Sequence, residues 1–261
     1  MVKPLYEGTF SVGLDKKFIR IKKSDPPHKG SLKLSINPFL IISDEERNYL
    51  FDAGLGDFGE DTSTQTMKDN LEKEGLSDFE ISDIFISHLH YDHIGGLADR
   101  ENGYWQLTFP DARLWVSMGG WQKALTYQEK TDDELNTEFI HFLDAKADIH
   151  FLDEDDQPYP DIRVKKIGGH TEFSQLLIYE TKKEKYLMAG DVIGTRNGIN
   201  RKFAAKYDFD PKHSMTMRKE LKKLALRENY IILAYHETDH PMFRLTGFDE
   251  QKGYIINNID N

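Results

Sequence analysis

Short apolar runs separated by turn residues dominate the first fifty positions of the chain. Each run has the length of a β-strand, and the sequences DPPHKG, NP and DEE interrupt the runs as turn signals. The pattern predicts successive antiparallel strands at residues 18–21, 32–36, 39–42 and 48–51. The glycine-rich segment FDAGLGDFG ends the fourth strand, and polar helix formers at 62–74 then predict a helix that stops at Gly75.

A predicted helical region separates this first batch of strands from a second batch. It covers residues 120–142 as one or two helices. Its large apolar side chains recur at roughly helical spacing, at Trp121, Leu125, Leu135 and Phe139. Other short apolar runs predict strands at 83–87, 113–117, 149–152, 162–167, 174–180, 186–189 and 230–234. Asp210 and Pro211 are typical of a helix start, and this last helix should extend to about Arg227.

Two batches of strands, each followed by helices, indicate an α+β protein. The pattern suits two mixed β-sheets packed face to face with helices on the outside, a four-layer αββα sandwich. The chain has 261 residues, and no internal repeat, low-complexity segment or Pro- or Ser-rich linker divides it. We therefore expect a single domain that covers residues 1–261.

Composition narrows the range of partners. The formal net charge is −11, so the protein should repel phosphate backbones, and no nucleic-acid partner is expected. No apolar segment follows the N-terminus, and runs such as 39–42 are far too short to cross a bilayer. We expect a cytoplasmic protein that acts on a small molecule and does not bind a membrane. The sequence does not distinguish a monomer from a homodimer.

The segment SHLHYDHIGGL contains three of the ten histidines and one aspartate within six consecutive positions, 88–93. Side chains alternate in an extended segment, so His88 and His90 should point to the same side and hold one metal ion. Asp92 and His93 follow the first bend and could serve a second ion nearby. Imidazole and carboxylate groups are ligands that zinc accepts, and the segment therefore predicts a metal site.

Other interpretations of this cluster are weaker. Histidines gathered by chance would leave charged and imidazole groups densely packed after a buried strand with no compensating ion. The helical HExxH zinc motif fits poorly, because position 89 is leucine and the following glycines discourage a helix. Cysteine is absent, which excludes thiolate sites and limits the ligands of any metal to His, Asp and Glu.

The segment SHLHYDHIGGL resembles the HxHxDH signature of the metallo-β-lactamase superfamily, in its hydrolase branch. Four further segments match that family in the same order and extend the resemblance over about residues 30–240: FDAGLG, GGHTEFSQ, MAGD and LAYHE. The resemblance implies that Asp52 of FDAGLG supports the site and is not itself a ligand.

The family pattern implies a site for two metal ions. The implied ligands are His88, His90 and His170 for the first ion, Asp92, His93 and His236 for the second, and Asp191 as the bridge. His240 in HETDHP competes with His236, which we prefer because it follows a buried strand directly. Zinc is the default ion for such ligands, and manganese, iron and cobalt accept them too.

The resemblance implies hydrolysis. Two metal ions that share one water lower its pKa towards neutrality and leave a bridging hydroxide, which can attack an ester, lactone or thioester bond of a small molecule. Asp92 could also orient this hydroxide and so act as a catalytic residue. Phosphodiesterase or phosphotriesterase activity on the same metal site is the alternative. A non-catalytic module of this fold is a weaker alternative, because all seven ligand positions are filled.

Differences from other members of this superfamily narrow the choice of the branch that the chain resembles. Classical β-lactamases of this superfamily use a cysteine, which this chain lacks, and flavodiiron proteins carry a flavodoxin domain for which 261 residues leave no room. The layout resembles N-acyl homoserine lactonases and glyoxalase II. However, many of those lactonases have a tyrosine three residues after the bridging aspartate, where this chain has Gly194, and the common GHTPG turn reads GHTEF here.

The segment GTRNGINRKFAAKYDF, residues 194–209, follows Asp191 and should run past the pocket. Its side chains either contact an anionic or acyl substrate or belong to an ordinary solvated loop. The candidates are Arg196, Arg201, Lys202, Phe203 and Tyr207.

Overall fold

The chain divides into two units in a computed structural model, Met1–Phe151 and Leu152–Asn261. The structure describes residues 1–43, 47–101, 103–126, 137–203 and 205–259. The expectation of a single domain over residues 1–261 stays a prediction.

The first unit combines mixed and antiparallel sheets with helices. Its strands are β1 (Val2–Pro4), β2 (Gly8–Val12), β3 (Phe18–Ile21), β4 (Leu32–Ile36), β5 (Phe39–Ile42), β6 (Asn48–Phe51), β7 (Asp83–Phe85), β8 (Ala98–Glu101), β9 (Tyr104–Leu107), β10 (Arg113–Ser117) and β11 (Asp148–Leu152). Its helices are α1 (Thr64–Lys73), α2 (Tyr91–Ile94), α3 (Met118–Thr126) and α4 (Thr137–Lys146).

The main sheet of this unit has the order β1-β5-β6-β7-β10-β11. Strands β1, β5 and β6 pair antiparallel, and β7 pairs parallel with both β6 and β10. Strands β3, β2 and β4 form a separate antiparallel sheet, and β8 and β9 form a hairpin.

The central strands β5, β6 and β7 are nearly continuous apolar runs because both faces of the main sheet are covered. Leu40, Leu50 and Ile84 are adjacent across the sheet and almost fully buried. Trp121 of α3 and Phe139 of α4 belong to the same apolar core. Strand β7 is therefore held rigidly where it delivers the chain to the histidine-rich segment.

The second unit is built on a single large sheet. Its strands are β12 (Asp155–Tyr159), β13 (Ile162–Lys166), β14 (Gln175–Glu180), β15 (Lys185–Met188), β16 (Ile231–Leu233), β17 (Met242–Asp249) and β18 (Gly253–Asn258), and its helices are α5 (Arg196–Ile199) and α6 (Pro211–Glu228). The strands lie in sequence order, and all neighbours pair antiparallel except β15 and β16, which are parallel.

Helix α6 covers one face of this sheet. Its residues Leu221 and Ala225 pack in one apolar cluster with Ile232 of β16 and Phe243 of β17. As predicted, Asp210 caps the helix, and its carboxylate accepts hydrogen bonds from the backbone N–H groups of residues 212 and 213. The helix thus fixes the long connection between β15 and β16.

Mixed sheets with helices confirm the α+β class. The four strands predicted in the first fifty residues form at the predicted positions, and residues 120–142 contain parts of two helices, with Leu135 outside the described residues. The face-to-face packing of two sheets stays a prediction. Among the described residues, every helix is too short or too polar to span a lipid bilayer.

The sequence pattern did not predict several of the strands. These are β1, β2, β8, β9, β12, β17 and β18. Strand β17 mixes buried with exposed positions, β18 has only half-buried and exposed ones, and both carry polar residues, so neither has a continuous apolar run. The expectation of successive antiparallel strands was also partly wrong, because β3 and β4 both pair with the unpredicted β2.

Candidate metal centre

The first two histidines of the motif lie just beyond the end of β7. His90 has an extended backbone, with φ −80° and ψ 152°. The His88 Nε2 and His90 Nδ1 atoms are 3.0 Å apart, so the two rings lie on the same side of the chain, as predicted. Two ligands of one tetrahedral zinc ion, each about 2.0–2.1 Å from the metal, lie roughly 3.3 Å apart. The observed spacing fits a pair of ligands to one ion.

Asp92 and His93 lie on the one-turn helix α2. The glycines that follow do not prevent this turn, contrary to the expectation from sequence, because the helix ends where Gly95 begins. The Asp92 Oδ2 atom is 3.6 Å from the His93 Nε2 atom, and both residues are buried. The motif therefore presents two pairs of donor groups from the first unit.

Asp52 orients His93. Its Oδ2 atom is 2.6 Å from the His93 Nδ1 atom, and both side chains are fully buried. The same carboxylate accepts hydrogen bonds from the Ser87 backbone N–H at 2.6 Å and from the Ser87 hydroxyl at 2.7 Å. A carboxylate at Nδ1 holds the proton there and leaves the Nε2 lone pair for a metal. Sequence reasoning missed Ser87, which no motif spacing marks.

Glycine allows the FDAGLG loop to lie directly against the motif. A Cβ atom at Gly96 would be 2.0 Å from the Ala53 carbonyl oxygen, which no side chain can accommodate without a backbone shift. The Gly96 N–H donates to the Gly54 carbonyl, and the Ala53 N–H donates to the His93 carbonyl. These contacts fix the position of Asp52 relative to His93.

The second unit brings together His170, Asp191 and His236. The His170 Nε2 atom is 3.3 Å from Asp191 Oδ2, and the His236 Nε2 atom is 2.9 Å from Asp191 Oδ1. Both histidines are buried. One histidine therefore faces each oxygen of the same carboxylate, which is the arrangement that a bridging aspartate needs.

Asp208 supports His170 as Asp52 supports His93. Its Oδ1 atom is 2.9 Å from the His170 Nδ1 atom, and the two side chains are 2% and 4% exposed. Phe209 and Asp210 donate backbone hydrogen bonds to the His170 and Gly169 carbonyls, which fixes the loop beside the histidine. Sequence reasoning did not single out Asp208. Only the general need of a ligating histidine for a carboxylate or carbonyl partner could have suggested it.

His236 contacts Asp191, and the choice between His236 and His240 as the ligand stays a prediction. The backbone N–H of His236 donates to the Gly194 carbonyl at 2.8 Å, so the segment that follows β16 is tied to the turn that carries Asp191. A Cβ atom at Gly194 would be 3.2 Å from the His236 Cδ2 atom. The small residue at 194 thus gives the His236 ring its space.

The donor groups fit a divalent metal ion. Each unit presents buried imidazole and carboxylate groups. In each unit one histidine has a buried carboxylate at Nδ1, which leaves the Nε2 lone pair to bind a metal. Imidazole with carboxylate is the donor set of zinc and of other first-row divalent ions. Which of the seven residues share an ion stays a prediction.

Solved structures resemble the chain along its whole length. A probable metal-dependent hydrolase from Staphylococcus aureus shares 19% identity at a TM-score of 0.77, covering 100% of this chain and 98% of that chain. The hydrolase AbOPH, of the β-lactamase superfamily, shares 21% identity at a TM-score of 0.77, covering 100% and 94%. AidC, a dizinc quorum-quenching lactonase in complex with a product, shares 20% identity at a TM-score of 0.77, covering 98% and 93%. At these identities the likeness shows the fold.

No curated protein sequence matches the chain. The family model of the metallo-β-lactamase superfamily matches residues 33–236, which include every candidate ligand. The chain therefore belongs to the metallo-β-lactamase superfamily, has its fold, and is a metal-binding hydrolase.

Proposed function

We propose that the protein is a dinuclear metal-dependent hydrolase that cleaves ester, lactone or thioester bonds of a small molecule. The proposed ligands are His88, His90 and His170 for one ion, Asp92, His93 and His236 for the other, and Asp191 as the bridge. Zinc is the proposed metal, because imidazole and carboxylate groups are its usual ligands in the absence of cysteine.

The observation that carries this proposal is the position of Asp191 between two buried histidines. Each of its carboxylate oxygens faces the Nε2 atom of a different histidine, at 3.3 Å and 2.9 Å. A carboxylate that bound only one ion would not need a histidine at both oxygens. The arrangement therefore supports two ions, with Asp191 contributing one oxygen to each.

The chain's own residues prepare the site for hydrolysis. When bound, two divalent ions supply a nucleophile at neutral pH by lowering the pKa of water, and they polarise the bond to be cleaved. Asp52 and Asp208 hold the Nδ1 protons of His93 and His170, so that the Nε2 atoms remain available as ligands. The proposed role of Asp92, which is buried beside His93, is to orient the attacking water in addition to binding metal.

Metal content and substrate range test the proposal together. Purified protein loaded with zinc should contain two ions per chain by elemental analysis and should turn over members of a panel of lactones, aryl esters and glutathione thioesters. Asp191→Ala should lower kcat/KM by more than the roughly 10–100-fold that loss of an outer partner of a ligand costs. Asp155→Ala, which removes only an exposed ion pair with Arg163, is the matched control and should retain activity.

Two results would contradict the proposal. Fewer than one ion per chain after loading would favour a non-catalytic module. Turnover of phosphodiesters or phosphotriesters, with none of the carbonyl substrates cleaved, would replace the proposed substrate class with the phosphoryl alternative while leaving the metal ligands in place.

A further inference from the structure

Three cations of the second unit form a group that we call the basic cluster, Arg201, Arg218 and Lys222. Burial lowers the pKa of both Arg218 and Lys222, and a neighbouring positive charge lowers each further, that of Arg201 for Arg218 and that of Arg218 for Lys222. Lys222 donates a hydrogen bond to the Ile199 carbonyl at 2.6 Å. Like charges have thus been gathered in a chain whose net charge is −11.

Arg218 is buried with few partners. The residue is only 4% exposed, and among the described residues the one hydrogen bond of its side chain runs from Nε to the Val192 carbonyl at 3.0 Å. Within the described ranges of the chain, its Nη1 atom has no hydrogen-bond partner. A buried guanidinium has five N–H donors, and leaving them without acceptors is costly.

Arginines elsewhere in the chain are neutralised differently. Arg113, Arg163 and Arg227 each lie 2.7–2.9 Å from a carboxylate oxygen. In contrast, no member of the basic cluster forms an ion pair with a carboxylate among the residues that the structure describes. On an ordinary solvated surface, positive and negative side chains are interspersed, whereas the basic cluster brings together positive charges only.

The basic cluster lies beside the metal ligands of its own unit. Val192, which accepts the hydrogen bond of Arg218, directly follows Asp191. Tyr207 packs edge-on against His170, with 6.2 Å between ring centroids, and its hydroxyl interacts with both Arg201 and the charge of Asp191. Arg201 is half-buried and Tyr207 is 60% exposed, so a ligand can reach both.

We propose that Arg201 and Tyr207, backed by the positive charge of Arg218 and Lys222, bind an anionic group of the substrate. The anionic group is a carboxylate or a phosphate that is not part of the bond being cleaved. This inference rests on the proposed function for the reaction and adds the substrate class, namely anionic esters, lactones or thioesters. It assigns a role to residues 201 and 207 of the loop that follows the bridging aspartate.

A purely structural role for the cluster predicts something different. Arg218 also feels the charge of Asp208, and it could serve only to balance that buried carboxylate. In that case, changes at Arg201 would affect neutral and anionic substrates equally. A guanidinium that contacts the anionic group would instead affect the anionic substrate alone.

A pair of esters separates these possibilities. The substrates are 4-nitrophenyl hemiglutarate, which carries a free carboxylate, and 4-nitrophenyl butyrate, which does not. Zinc-loaded wild-type protein should prefer the hemiglutarate in kcat/KM. Arg201→Gln should raise KM for the hemiglutarate about 10-fold or more, the usual effect of losing a hydrogen bond between charged groups, and should leave KM for the butyrate within about 2-fold. Arg201→Lys keeps the charge and should restore part of the preference.

Binding provides a measurement that does not depend on turnover. Titration calorimetry with glutarate and with inorganic phosphate, on the zinc-loaded protein, should give a Kd at least about 10-fold weaker for Arg201→Gln than for wild type. Metal contacts to these anions are common to both proteins and cancel in the ratio. Arg227→Gln removes an arginine of α6, the helix that carries Arg218 and Lys222, but Arg227 already pairs with Glu228, so this variant should bind like wild type.

The outcomes distinguish the two proposals. Weaker anion binding by Arg201→Gln, with no ester turnover in any variant, supports an anion site at Arg201 and Tyr207 and contradicts the proposed function. Equal turnover of both esters, with equal Kd values for wild type and Arg201→Gln, overturns the anion site and leaves the proposed hydrolase intact. Loss of turnover of both esters to the same extent also overturns it in favour of a structural role.

Discussion

The first unit carries its candidate ligands in one short segment, whereas the second unit gathers them from three separate loops. His88 to His93 are close in sequence, and their spacing alone indicates which side chains share a face. His170 and His236 come within 3.3 Å and 2.9 Å of the carboxylate oxygens of Asp191 only through the fold of a seven-stranded sheet. A contiguous cluster can therefore be recognised from chemistry, and a dispersed one needs a family pattern.

Both units support one histidine with a buried carboxylate, but they neutralise that carboxylate differently. In the first unit, Asp52 accepts hydrogen bonds from the backbone and the hydroxyl of Ser87 in addition to its contact with His93. In the second unit, Asp208 contacts His170, and its Oδ2 atom has no hydrogen-bond partner within the described part of the chain. There the charge of Arg218 lies nearby. The carboxylate of Asp52 is therefore stabilised by hydrogen bonds within the core, and that of Asp208 by the positive charge of Arg218.

Of the changes that test this difference between the two units, removal of the two supporting carboxylates has the largest expected effect. Asp52→Ala and Asp208→Ala should each weaken zinc binding about 10–100-fold, because the supported histidine loses its fixed orientation and tautomer. Asp52→Ala should also destabilise the metal-free protein by about 1–3 kcal/mol, because the buried N–H and hydroxyl of Ser87 lose their acceptor. Competition titration with a chromogenic chelator measures the affinity, and urea denaturation measures the stability.

A shared result for the two variants would remove the difference between the units. If Asp208→Ala lowered the free energy of unfolding as much as Asp52→Ala, the second carboxylate would be as much a part of the core as the first. Asp155→Ala, on an exposed strand of the second unit, controls for loss of a carboxylate as such and should change neither quantity appreciably.

The same difference between the units explains how much the sequence could predict. Strands β5, β6 and β7 are recognisable because both faces are buried and the apolar run is continuous, and they position the HxHxDH segment. Strands β17 and β18 intersperse apolar with polar residues and were missed. Asp208 and Ser87 were missed for a different reason, since their roles depend on contacts between segments distant in sequence or on a buried backbone turn, neither of which a local pattern records.

The first unit also contains a buried carboxylate that forms no ion pair within the described part of the chain. The Oε2 atom of Glu7 accepts a hydrogen bond from the Leu55 N–H at 2.8 Å, and its Oε1 atom has no partner among the residues described. Burial raises the pKa of Glu7 from 4.5 to about 8, with Asp92 adding to the rise and the Leu55 N–H and Arg20 opposing it. Glu7 is therefore mostly protonated at neutral pH, unlike a carboxylate that is balanced by a cation.

Because of Glu7, the stability of wild type should fall as pH rises, whereas Glu7→Gln should lack this contribution. Because the folded pKa lies above the unfolded value, the stabilising contribution of the proton is complete below about pH 4.5 and is lost as pH rises through about 8. Between pH 6 and pH 9, wild type should lose about 2–3 kcal/mol of unfolding free energy relative to Glu7→Gln. Urea denaturation at both pH values measures this difference.

The control for this measurement is Glu220→Gln, at an exposed position of α6, whose stability should follow wild type at both pH values. Parallel pH dependence of wild type and Glu7→Gln would contradict the assigned protonation. It would also mean that Glu7 holds the FDAGLG loop as an anion.

The smallest expected effect is at Gly194, where the second unit departs from the lactonases that it resembles. A Cβ atom there would lie 3.2 Å from the His236 ring, whereas a Cβ at Gly198 in the next helical turn would meet only an ordinary contact at 3.5 Å. Gly194→Ala should therefore shift the ring by a few tenths of an ångström and lower zinc affinity and kcat/KM about 2–10-fold, and Gly198→Ala should leave both near wild type. Because the backbone at 194 has φ −78°, alanine adds no backbone strain, and the tightest new contact is the one with the His236 ring. Equal zinc affinity for both variants would show that His236 tolerates displacement, so that glycine at 194 reflects the shape needed by the substrate and not the position of the ligand.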